Sequence, residues 1–131
     1  MKSLPKETVT RHMASSRQYL ENAVGLLRNN EPHKAGEMLW GAISQALHAV
    51  AASRGIPLTT HKSLRHFVSS LVRERSDQDL ATTFRAAESL HSDFYEVELE
   101  VEDVGALTEP IRRAVANLMS LIPQELRSAS A

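Results

Sequence analysis

Apolar residues recur at three- and four-residue intervals along almost the whole chain, the spacing that gathers them on one side of an α-helix. Val9, Met13, Leu20, Val24 and Leu27 make the first stripe. Pro5 suits a first helical turn, and Asn29 and Asn30 tolerate the left-handed backbone that ends a helix. Glu31 and Pro32 then open a second helix whose stripe is Leu39, Ile43, Ala46, Leu47 and Val50. Alanines at 35, 42, 46, 49, 51 and 52 thin one side of it, so a neighbouring helix can approach closely.

Arg54-Gly55-Ile56-Pro57 breaks this pattern. Thr59 or Thr60 can cap a third, shorter helix built on Leu64, Phe67, Val68, Leu71 and Val72. Ser76 followed by Asp79 reads as a capping box for a fourth, which carries Leu80, Phe84, Ala87, Leu90, Phe94 and Val97. VELEV at 97–101 alternates like a strand, but the helical stripe also extends to Val101, so a helix end and a short connection are expected there. A fifth helix uses Leu107, Ile111, Val115, Leu118 and Ile122, with Pro110 in its first turn or at a kink. Pro123 stops it, and the terminal SASA is expected to fray. The prediction is an all-α, antiparallel up-and-down bundle of about five helices. It forms a single domain over 1–131 with its core between about 5 and 122.

Composition narrows the function classes. A chain of 131 residues that is 42% hydrophobic and 24% charged has ordinary globular composition, which argues against disorder. It contains no cysteine, so thiolate and disulfide chemistry are excluded. MKSLPKETVTRHM has no apolar secretory segment, and no stretch approaches the roughly 18 apolar residues of a membrane span; a cytoplasmic protein is expected. The near-neutral charge hides an asymmetry. Residues 1–75 hold 11 Lys/Arg against 5 Asp/Glu, whereas 76–131 hold 4 against 11. A basic first half suits a phosphate-bearing partner, although the two halves can equally complement each other when packed.

Several chemistries fail on spacing. The six histidines form no HExxH, and His61 and His66 diverge by about 140° on a helix, so no protein-made metal site and no cofactor are expected. Five scattered glycines make no phosphate-cradling loop. The acidic run DFYEVELEVED at 93–103 reads as a solvated edge. RGIPLTTHKSLRH at 54–66 is the most basic stretch, and His61 follows a helix cap where backbone N–H groups favour anions. It can hold a phosphate or pack over the cap. In ESLHSDFYE, His91 and Tyr95 share a helix face at the edge of the Leu90 and Phe94 stripe. Arg85 lies about 120° round an ideal helix from His91, so the two do not naturally converge along one helix, although a symmetric dimer can bring them together; a structural His91–Tyr95 pair is the plainer reading.

Three pieces in order carry a family resemblance: ENAVGLLRNNEPHKAGEMLWGAISQALHAVAASRG, THKSL and AAESLHSDFYE. The chain resembles the HEPN (higher eukaryote and prokaryote nucleotide-binding) superfamily over roughly residues 15–122, and LHSDFYE resembles its small PaREP-type branch. The resemblance implies an up-and-down helical bundle, often a homodimer, sometimes acting beside a nucleotidyltransferase-type protein partner. Catalytic members are metal-independent ribonucleases with an Arg-x(4–6)-His motif, a spacing that Arg85 and His91 meet. Ala86 stands where those enzymes usually carry a polar residue. The expected role is therefore binding of nucleotide, RNA or a protein partner without established catalysis. A metal-independent, toxin-like endoribonuclease using Arg85 and His91 is the alternative, and a structural oligomerisation module a second. Tyr95, His61, Lys62 and Arg65 are the expected ligand-binding residues.

Overall fold

The computed structural model describes residues 4–92 and 99–127. Five substantial helices account for most of it: α1 (Leu4–Arg28), α2 (Pro32–Ser53), α3 (His61–Arg75), α4 (Gln78–Ser92) and α6 (Thr108–Met119). Two short ones, α5 (Val101–Gly105) and α7 (Gln124–Arg127), flank α6. The described residues contain no strand. The architecture is the expected all-α bundle.

Central to it is α2, which packs against α1, α3, α4, α5 and α6. Its sequence explains why. Ala35, Leu39, Ala42, Ile43, Ala46, Leu47, Ala49 and Val50 are all inaccessible to solvent, so apolar side chains cover nearly half of its circumference. Small residues set the close approaches. The ring of Tyr19 in α1 lies so near Gly41 that a Cβ there would stand 3.1 Å from Tyr19 Cδ2. On α1 the buried line runs Val9, Met13, Ser16, Leu20 and Ala23. Ser16 is fully buried, yet its hydroxyl donates to the Ala42 carbonyl oxygen at 2.7 Å, which removes the cost of desolvating it. Val24, expected on the stripe, is only partly covered.

The breaks fall close to where turn chemistry put them. Asn30 at φ 58° and Gly55 at φ 70° take the left-handed conformation after α1 and α2. Thr60 caps α3 in a reciprocal box: its side chain accepts from Ser63 N–H, and Ser63 Oγ accepts from Thr60 N–H. One assignment changes. Ser76 does not open α4; it is the left-handed C-cap of α3, at φ 53°. Asp77 does the capping, its Oδ1 accepting from Leu80 N–H at 3.0 Å. Two helices joined this tightly need a left-handed residue before the next cap, which shifts the cap by one position. In the last segment, Leu107 precedes α6 and Ile122 follows it, yet Ile122 stays buried by folding back in a turn. Phe94, Val97 and the terminal SASA lie outside the described residues.

Candidate functional site

The site forms where the start of α3, the second half of α4 and the first half of α2 meet. Trp40, the chain's single tryptophan, occupies the seam from α2 with 9% of its surface exposed. Three rings from other helices surround it. Phe84 lies beneath, at 5.6 Å between ring centres, and His61 and His91 cover it at 5.7 and 5.4 Å. The His91 ring is stacked, tilted only 14° from the indole plane. Burying an indole between helices thus supports both imidazoles from below while leaving each side chain 47% exposed.

Each imidazole is also held by a carboxylate. His91 Nδ1–H donates to Glu37, at 3.1 Å to Oε1 and 3.3 Å to Oε2. His61 Nε2–H donates to Glu88 Oε2 at 2.6 Å. Arg65 Nε–H donates to the same oxygen at 2.7 Å, so Glu88 ties α3 to α4 through two hydrogen-bond donors. The hydrogen bond from Arg65 comes first, and that from His61 adds to it; together they outweigh burial and hold the Glu88 carboxyl below the usual carboxylate range.

These side chains line a shallow cleft of about 480 Å³, bordered by His61, Arg65, Arg85, Glu88, Ser89 and His91. Arg85 and His91 therefore border the same cleft within one chain. Residues 85, 88 and 91 step three at a time along a single slanted ridge of α4, with Glu88 midway. The cleft is wide enough to span that ridge. Arg65 is committed to Glu88, whereas Arg85 is exposed and forms no ion pair with any described residue. Lys62, next to His61 on α3, is exposed but does not line the cleft. Tyr95 lies outside the described residues. The sequence reading missed Trp40, Glu37 and Glu88; a lone tryptophan three residues after a glutamate on an alanine-rich helix was the available signal.

Elsewhere, His12 and His48 pair across α1 and α2 with ring centres 5.3 Å apart, and His12 Nδ1–H donates to Gln45 Oε1 at 2.6 Å. Burial, then the neighbouring His12, pushes the His48 imidazole pKa down. No three His, Asp or Glu side chains among the described residues are grouped to hold a metal ion. No helix among them is long and apolar enough to cross a membrane.

Residues 11–115, most of the chain, match the model of the archaeal PaREP1/PaREP8 family. The chain belongs to that family. All of the cleft residues fall inside the matched PaREP1/PaREP8 segment. A crystal structure of a protein from Sulfolobus solfataricus is similar at a TM-score of 0.72 and 19% identity, over 83% of this chain and 97% of that one. At that identity the likeness shows a shared helical fold. No curated protein matches the chain.

Proposed function

We propose that this PaREP1/PaREP8 family member is a HEPN-like helical domain that binds RNA or nucleotide phosphate in the cleft between α3 and α4. The observation that carries this is Arg85: an exposed guanidinium without an ion-pair partner among the described residues, at the edge of a cleft that already contains two imidazoles. A guanidinium offers a planar set of donors matched to phosphate oxygens. His91 adds a hydrogen-bonding ring, and Lys62 supplies longer-range attraction from α3. Tyr95 belongs to the same reading as a stacking residue for a base. Homodimerisation and a nucleotidyltransferase-type partner complete it.

Anisotropy of a labelled single-stranded RNA, titrated at two salt concentrations, tests the reading. Wild type binds with an affinity that falls as salt rises. Arg85→Ala binds more weakly, with a log–log salt slope shallower by about 0.7 for each phosphate that the variant no longer neutralises. Equal affinity and slope in the two proteins would remove the cleft from the account.

One observation favours the enzyme alternative as a second reading. Arg85 and His91 border the same open cleft in one protomer, so the motif needs no second subunit to assemble. A metal-independent ribonuclease would use His91 for proton transfer and Arg85 against the charge developing on phosphorus.

A further inference from the structure

We propose that the cleft is a two-imidazole proton-transfer site, in which His61 acts together with His91. The proposal rests on the ribonuclease reading and extends it by a second catalytic residue, His61, and two positioning residues, Glu37 and Glu88.

The argument begins with hydrogen bonds. A carboxylate only accepts, so Glu37 and Glu88 fix which nitrogen of each ring carries the proton. His91 presents Nδ1–H to Glu37, which leaves Nε2 as its free nitrogen. His61 presents Nε2–H to Glu88, which leaves Nδ1. Neither free nitrogen has a hydrogen-bond partner among the described residues, and both side chains are about half exposed. Trp40 supports both rings from one side, so the two imidazoles line one cleft at fixed tilt. The charged groups around the pair are Glu37 from α2, Arg65 from α3, and Arg85 and Glu88 from α4. Arg65 is engaged by Glu88, which leaves Arg85 for the phosphate.

Two prepared imidazoles suit a reaction that takes up one proton and releases another. The 2′-hydroxyl proton passes to one ring as the 2′-oxygen bonds to phosphorus. The bond from phosphorus to the 5′-oxygen breaks, and the other ring, protonated, gives its proton to that oxygen. The products are a 2′,3′-cyclic phosphate and a free 5′-hydroxyl, with atoms and charge balanced and no metal or water consumed. DNA lacks the attacking hydroxyl.

The test follows cleavage of a labelled single-stranded RNA in EDTA from pH 5 to 9, with DNA of the same sequence as control. Binding and thermal melting are measured alongside. Wild type is expected to give a bell-shaped rate profile, a cyclic-phosphate end and no DNA cleavage. His61→Ala and His91→Ala should each slow cleavage by about 100- to 10,000-fold and each abolish a different limb of the bell. Glu37→Gln and Glu88→Gln, which keep an acceptor oxygen, should lose less and shift a limb. His61→Gln replaces His61→Ala if the latter melts early. Retention of both limbs without His61 would overturn the proposal. Binding without cleavage in wild type would overturn it too, leaving the binding function intact; loss of binding as well would overturn both.

Discussion

Trp40 is the side chain whose removal should be felt most. It is 9% exposed and touches Phe84, His61 and His91, so Trp40→Ala deletes an indole from a packed seam. Such truncations cost about 3–5 kcal/mol. In a domain of this length each kcal/mol lowers Tm by roughly 3–4 °C, so the melt should fall by roughly 10–18 °C. His91→Ala removes a half-exposed ring and should cost chiefly the stacking on the indole, about 0.5–1.5 kcal/mol, because its hydrogen bond to Glu37 is open to solvent. Because the two changes delete the same interaction, the double variant should be more stable than the sum of the singles predicts, by about that amount. Urea unfolding of the four proteins at pH 7.5 measures the cycle. Strict additivity would mean that the stacking contributes no coupling energy, and a Trp40→Ala cost under about 1 kcal/mol would refute the buried-platform description altogether.

Three other perturbations probe the frame. Asp77→Ala should cost about 0.5–2 kcal/mol by uncapping α4, while Ser76→Ala stays within about 0.5 kcal/mol; denaturant midpoints separate them. Gly41→Val should destabilise the chain because even a Cβ would crowd the Tyr19 ring at 3.1 Å, and a raised Tm would contradict that packing. His48 has a folded pKa below its unfolded one, so unfolding takes up a proton as pH falls below about 6.5 and the stability present at pH 7.5 drains away from there. His48→Gln should reduce the Tm difference between pH 7.5 and 5.5. The Glu88 carboxylate acts lower: its depressed pKa gives stability that is present above the ordinary glutamate range and lost as pH falls through the folded value.

Helical periodicity and turn chemistry were legible because they are local. Leu64, Phe67, Val68 and Leu71 share a face whatever α3 packs against. The same locality explains the slip at Ser76. Both Ser76 and Asp77 can cap, and only the tight α3–α4 corner decides that the serine must turn left-handed first. The site was legible in part. His61, Arg65, Arg85 and His91 were named as candidates, and all four border one cleft. Their partners were not, because pairing Glu88 with His61 joins positions 27 residues apart, and pairing Glu37 with His91 joins positions 54 apart. Such pairs depend on how α2, α3 and α4 cross. The angle round one helix was not decisive: Arg85 and His91 point about 120° apart, but the cleft between α3 and α4 spans a ridge of that width.

The most direct test of the cleft as a ligand site is a titration of the histidine ring signals by NMR with a short single-stranded RNA. His61 and His91 should shift together and saturably, while His12 and His48, which pair on the α1–α2 face, should not move. Shifts confined to His12 and His48, or no shift at any histidine at saturating RNA, would contradict the assignment of this cleft.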